Sequence, residues 1–272
     1  MRIISLIEDT EGIQGCVSEH GLSIYLETAK HKILLDFGAS ARTLENAKNL
    51  GIDLSKIDIA ILSHGHYDHS GGILPFIEIN PDVVIYMQEP AGNAYYHISG
   101  GSEKYIGINP EINKLPQTRK INGNYKIDEE IELFSGITGR KFLAKGNMEL
   151  KEKVDGNYIQ DAFAHEQCTV IKQGKETILF SGCAHNGILN IMDRYFELYH
   201  DYPSMVISGF HMMQKSGYNV QDIENIRCVA KELSKMHTTF YTGHCTGQEA
   251  VNEMKQIMGE QLKVLHSGMV IG

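Results

Sequence analysis

Between Ser63 and His69 the chain reads Ser-His-Gly-His-Tyr-Asp-His, which places four metal-capable side chains within six positions. No other stretch constrains the fold as tightly. A largely apolar run, 57–62, precedes it and reads as a buried strand, and the small-residue turn Ser70-Gly71-Gly72 follows. A strand that ends in such a turn can aim several side chains at one point. His64 and His66, two apart, can reach the same ion. Asp68 and His69, further round the turn, can reach a second ion a few ångströms away. Imidazole and carboxylate donors suit zinc and similar ions, which keep a coordination position open for water at catalytic sites. A surface loop that happens to carry histidines is the alternative, and clusters with this spacing rarely lack a role.

Three further histidines stand in the same kind of place. His185, His211 and His244 each follow an apolar strand and a glycine, in Phe180-Ser181-Gly182-Cys183-Ala184-His185, Gly209-Phe210-His211 and Gly243-His244. In α/β sheets the carboxyl ends of strands line the ligand crevice. A satisfied loop or core histidine is the ordinary reading of any one of them; the repetition argues against it. The simplest grouping puts His64, His66 and His185 on one ion, and Asp68, His69 and His244 on another, with the ions about 3.5–4 Å apart.

The 272 residues fit one large α/β domain, 1–272, able to bury a sizeable core. A formal charge of −9 argues against nucleic acid or an anionic membrane surface as a partner. An anionic small-molecule substrate stays open, because bound cations reverse the local field. No run is long and apolar enough to span a bilayer, and no secretory leader is visible at Met1-Arg2-Ile3. Cys16, Cys168, Cys183, Cys228 and Cys245 are odd in number and contain no CxxC pair, so a reducing cytoplasm is the expected compartment.

Periodicity predicts strands at 2–8, 22–28, 31–36 and 83–87, with helices at 43–50 and 73–79. From 89 to 160 the pattern weakens, apart from a strand at 131–138. Long irregular stretches inside domains are often binding loops, and this one reads as a substrate-covering insertion, with His97 and Tyr105 as contact candidates. Beyond it, a hairpin is expected over 168–180, helices at 188–199, around 223–233 and at 249–258, and strands at 205–208, 238–242 and 262–265. Thr246 and Glu249 have capping-box spacing for the last helix. Asp36 closes a strand beside a glycine, where it can orient a ligand histidine or merely cap a helix.

The 64–69 stretch resembles the HxHxDH motif of the metallo-β-lactamase superfamily. That resemblance implies a four-layer αββα sandwich with the metal site at one edge, between the sheets. It also implies a role beside the metals for Asp36. One departure stands out: many members carry a metal-bridging aspartate after a strand and a glycine, and here Cys183 occupies that place, as a thiolate ligand or as a buried inert thiol. Glu19-His20-Gly21-Leu22-Ser23, His165-Glu166-Gln167 and His244-Cys245-Thr246-Gly247 resemble a subgroup. It includes proteins named for the dihydropterin–ribofuranosylaminobenzene phosphate synthase step of methanopterin biosynthesis, along with metal-dependent hydrolases. By that resemblance His20 and Glu166 are pocket candidates, Glu166 as an acid/base or orienting carboxylate or simply as a solvated hairpin residue.

The expected function is metal-dependent hydrolysis by a metal-bound hydroxide, on a phosphoester or other anionic small molecule, with a pterin-like compound among the candidates. Two divalent ions are expected, zinc ahead of manganese or iron. Asp68 takes part in catalysis, and His211 or Glu166 assists proton transfer or binding. The alternatives are a synthase-type condensation that releases pyrophosphate, a di-iron redox protein, or a non-catalytic metal-binding protein.

Overall fold

The computed structural model describes residues 1–10, 12–214 and 216–272. Two seven-stranded mixed sheets face one another. The first runs, in spatial order, Val270–Ile271, Arg2–Ile7, Ser23–Glu27, Lys32–Leu35, Ile59–Ile61, Val84–Gln88 and Thr118–Ile121. The second runs Leu262–Val264, Thr239–Thr242, Met205–Ile207, Glu176–Phe180, Cys168–Gln173, Ile131–Phe134 and Tyr125–Lys126.

Strand alternation explains the layering. Side chains on a strand point to opposite faces in turn, so a strand buried on both sides feeds two cores. Ile33, Leu35, Ile59 and Ile61 point between the sheets, where they meet Ile171, Ile178 and Phe180. Their neighbours Leu34 and Ala60 point outward to Ala47, Ile73 and Phe76, on the helices Arg42–Asn49 and Ile73–Ile79. Leu179, Val206 and Phe240 point outward from the second sheet to the helices Ile188–Tyr199, Val220–Leu233 and Gln248–Met258. The result is the four-layer αββα sandwich. Among the described residues no helix is long and apolar enough to cross a membrane.

Three local expectations change. The 131–138 strand stops at Phe134, before Gly136 at φ +69°. The last helix has no capping box: Thr246 Oγ1 is turned back to accept from the Phe210 N–H at 2.9 Å and to bond Thr242 Oγ1 at 2.7 Å. The reciprocal box stands instead at Asn219 and Asp222, ahead of Val220–Leu233. The 89–160 segment is more regular than its composition suggests. Asn157–Gln160, Leu150–Val154, Tyr95–Ser99 and Ser102–Tyr105 form a third sheet of four strands. Tyr95, Ile106 and Leu150 of this segment pack with Phe163 against Tyr67, and the Tyr67 N–H donates to the Ile106 carbonyl at 2.9 Å. The third sheet is therefore fastened to the turn between His66 and Asp68.

Candidate metal centre

Parallel pairing brings the candidate ligands to one edge. Glu176–Phe180, Met205–Ile207 and Thr239–Thr242 are parallel neighbours, so Cys183, His185, His211 and His244 emerge side by side. Across the sandwich, Lys32–Leu35 and Ile59–Ile61 are also parallel, and they deliver Asp36 and the 64–69 turn. The chain is strained at these ends. Asp36, Ala184, His211 and His244 hold φ between +48° and +56°, a region that costs a non-glycine residue free energy and that recurs at functional sites. The glycine in the strand–glycine–histidine pattern is there for close approach. A Cβ on Gly182 would lie 2.1 Å from Ser63 Oγ, and one on Gly243 would lie 2.5 Å from Glu8 Oε1.

Hydrogen bonds to Nδ1 fix the imidazoles. His69 Nδ1–H donates to Asp36 Oδ2 at 2.6 Å, and His244 Nδ1–H donates to Asp9 Oδ1 at 2.6 Å. Ser63 Oγ–H donates to Asp36 Oδ2 at 2.7 Å, so it accepts from His64 Nδ1–H at 2.8 Å. His185 Nδ1–H donates to Asn147 Oδ1 at 3.2 Å. Each of these rings, when it carries a single proton, then presents Nε2 as a lone pair. The Nε2 atoms of His64, His66 and His185 are buried and have no partner among the described residues. The His64 and His66 ring centroids are 4.7 Å apart, and His185 lies within 4.9 Å of both. His69 Nε2 faces His244 Nε2 at 3.2 Å, with Cys183 Sγ 3.1 Å from His69 Nε2. Two lone pairs aimed at each other in a dry site repel unless a cation or a proton lies between them. This donor set fits a metal ion.

The electrostatics agree with that fit. Burial, reinforced by neighbouring imidazoles, holds His64 and His185 well below the ordinary histidine range and brings His66 down to about 3. These three are neutral donors. Burial pushes Asp68 up, but His69, His244 and His66 outweigh it and hold the carboxyl well below its usual range. Burial pushes His244 down, but Cys245, Asp68 and Asp9 together raise it well above. Burial also pushes the Cys183 thiol well up, so ionisation there requires a cation beside the sulfur.

Other candidates sit in different roles. Glu166 is enclosed: its carboxylate accepts the backbone N–H groups of His185 at 2.6 Å and Asn186 at 3.0 Å, and Asn186 Nδ2 at 2.8 Å. It therefore positions the His185 loop and does not face the cavity as an acid or base, a correction to the sequence expectation. Its neighbours stitch the same region. His165 Nδ1 accepts from the Gly65 N–H at 3.0 Å, and Gln167 Nε2 donates to the Leu62 carbonyl at 2.7 Å. His20 is half-exposed at the rim, with Nδ1 2.7 Å from Asp9 Oδ2 and Nε2 3.6 Å from Asp68 Oδ2. Asp9 was not expected. Like Asp36 it stands just past the end of an apolar strand, and that placement is the signal that could have found it. Asn147 was not expected either, because only the docking of the third sheet brings it to His185.

A cavity of about 710 Å³ opens over these donors. His66, Asp68, Cys183 and His185 line its floor, His211 and His20 its sides, and Lys104 and His97 the wall made by the third sheet, joined by Met148 from the turn before Leu150–Val154. His211 carries a buried Nδ1 without a partner among the described residues, and the ring stands beside the Cys183 and Cys245 sulfurs. Tyr105 does not line this cavity; its hydroxyl donates to the Ile108 carbonyl at 2.6 Å.

Residues 19–143 match the metallo-beta-lactamase superfamily. Over its whole length the chain is 27% identical to the crystal structure of Tm1679, described as a metal-dependent hydrolase of the β-lactamase superfamily, with a TM-score of 0.83 and 98% of that chain covered. The chain belongs to the metallo-β-lactamase superfamily. It is also 29% identical to the 7,8-dihydropterin-6-methyl-4-(beta-D-ribofuranosyl)-aminobenzene-5'-phosphate synthase of Methanocaldococcus jannaschii, covering 100% of this chain and 96% of that protein. A second protein of that organism, uncharacterized, is 28% identical over 99% of this chain and 100% of its own length. In this superfamily member Cys183 serves both donor groups. Its sulfur lies within 4.8 Å of ligand atoms of Asp68, His69 and His244, and equally of His64 and His185. It thus stands between the groups, where the resemblance leads one to look for a bridging aspartate.

Proposed function

We propose that this protein is a metal-dependent hydrolase that cleaves a phosphoester or a related anionic small molecule, using two divalent ions, zinc first among them. The observation that carries this reading is the convergence of imidazole nitrogens, without a partner among the described residues or face to face, at and beneath the floor of a cavity of metabolite size. His64, His66 and His185 would hold one ion and Asp68, His69 and His244 the other, with Cys183 between. Such ions supply Lewis-acid polarisation and an activated water.

The chain's own residues do the rest. Asp68, held ionised, lines the cavity floor, where its carboxylate can orient the attacking water. His211 is placed to hydrogen-bond a substrate oxygen from the side. Asp36, Asp9, Ser63 and Asn147 keep the rings in the donor tautomer, and Glu166 holds the His185 loop. The third sheet covers one side of the cavity and limits substrates to small molecules.

Elemental analysis of protein purified without added metal tests the reading. About two equivalents of zinc or manganese, reduced in His66→Ala, followed by turnover of aryl phosphodiesters or monoesters, is the expected result. About two irons with a visible chromophore would replace it by redox chemistry. No bound metal after reconstitution would overturn it. The full-length similarity to the M. jannaschii synthase favours a second reading, a condensation that expels pyrophosphate from a pterin diphosphate. Pyrophosphate release that depends on an added arylamine separates the two.

A further inference from the structure

The wall that the third sheet contributes carries an uncommitted cation. Lys104 lies on Ser102–Tyr105, directly across from His97 on Tyr95–Ser99. Its ammonium forms no ion pair among the described residues. It rests 4.7 Å from the centroid of the Tyr67 ring and 3.4 Å from the Tyr67 hydroxyl. Among the described residues that line the cavity the other lysine is Lys145, which is tied to Asp222 at 2.8 Å. Glu149, the acid of this wall, accepts from Ser99 Oγ at 2.6 Å with one oxygen and is 2.9 Å from His97 Nε2 with the other. The positive charge on Lys104 is therefore available to a ligand.

Its position is also set relative to the metal centre. Tyr67 stands between the ligand candidates His66 and Asp68, and its backbone is bonded to Ile106, two residues beyond Lys104. A ring face attracts an ammonium and restricts its wandering. The lysine and the metal donors thus share one cavity at a separation that the fold fixes.

We infer that Lys104, seated on the Tyr67 ring, is the specificity-determining residue of this cavity, and that it receives a second phosphate at the end of the substrate that does not react. The inference rests on the hydrolase reading, since it takes the first anionic group to lie over the metal donors. Lysine acts here as a point charge, which tolerates a tetrahedral phosphate in several orientations. The substrate class is then a molecule with two anionic ends, one for cleavage and one for recognition.

Calorimetric titration of the metal-loaded full chain tests this, with metal content measured for every variant. The probes are alkyl monophosphates and the matching α,ω-alkanediol bisphosphates of two to eight carbons. In the unaltered protein one bisphosphate length is expected to bind about tenfold tighter than its monophosphate, the order of one charge-assisted hydrogen bond. Lys104→Ala is expected to abolish that margin, Lys104→Arg to keep most of it, and neither to change monophosphate affinity. Bisphosphates no tighter than monophosphates at every length, or a margin that survives Lys104→Ala, would overturn the inference. Failure of every monophosphate to bind the metal-loaded protein would instead overturn the hydrolase reading beneath it.

Discussion

The two halves of the metal centre are built on different principles. His64, His66 and His185 form a neutral half. The rings of His64 and His185 are steered by a hydroxyl and an amide, from Ser63 and Asn147, and burial holds all three below the ordinary histidine range. Asp68, His69 and His244 form a charged half. Asp36 and Asp9 receive the Nδ1–H groups of its two rings, and Asp68 stands ionised among them. A carboxylate behind an imidazole makes the ring a stronger donor and also a stronger base. The charged half should therefore bind its ion more tightly at neutral pH and compete harder for protons. Cys183, within reach of both, is what joins two such unlike environments.

Removing one ligand from each half is the most drastic way to break this comparison. His185→Ala is expected to lose about one equivalent of metal from the neutral half, and His244→Ala about one from the charged half. Elemental analysis after exhaustive dialysis checks it. Loss of both ions from either variant would show that Cys183 couples the halves so closely that they act as one site.

Acid should separate the halves without mutation. His244 is held well above its ordinary value, so its proton competes with metal first as pH falls. His66 is held at about 3, with His64 and His185 also depressed, so the neutral half keeps its lone pairs into acid solution. Metal retained against pH, measured by equilibrium dialysis, is expected to fall in two steps, with the charged half emptying at the higher pH. A single step would mean that the proton affinities of the free rings do not govern retention.

The ease of reading these regions from sequence differs for related reasons. The main sheets were legible because their strands alternate between two apolar cores and end in glycines that admit no side chain, as at Gly182 and Gly243. Strand-end placement was enough to mark His185, His211 and His244. The third sheet was missed although its turns were in plain view. Gly100-Gly101 and Asp155-Gly156 hold the paired positive φ values of tight hairpins. Their flanking strands, Ser102–Tyr105 and Asn157–Gln160, are largely exposed and show no apolar alternation to announce them. For Glu166 an orienting role was legible only as one of three alternatives, since its three N–H donors come from a loop that is adjacent only in space.

The smallest changes probe the residues behind the rings. In Asp36→Asn one acceptor oxygen remains, while the amide nitrogen must meet one of three donors, Ser63 N–H, Ser63 Oγ–H or His69 Nδ1–H. The charge behind His69 also disappears. Metal affinity of the charged half is expected to fall toward the upper end of the roughly 10–100-fold range for such partners, with a lower Tm from the unpaired buried donor. Asn147→Ala removes a neutral acceptor from His185 Nδ1 and a donor to the His185 carbonyl, with no change in charge. Its effect on the neutral half is expected to be about tenfold, at the lower end of the same range. Metal-competition titrations with a chromophoric chelator rank the two. If Asn147→Ala costs more than Asp36→Asn, the charge behind the ring is not what distinguishes the halves. The difference would then lie in how firmly each ring is held, and the docking of the third sheet, whose leading turn Lys145–Glu149 supplies Asn147, would matter more to the metal centre than either carboxylate.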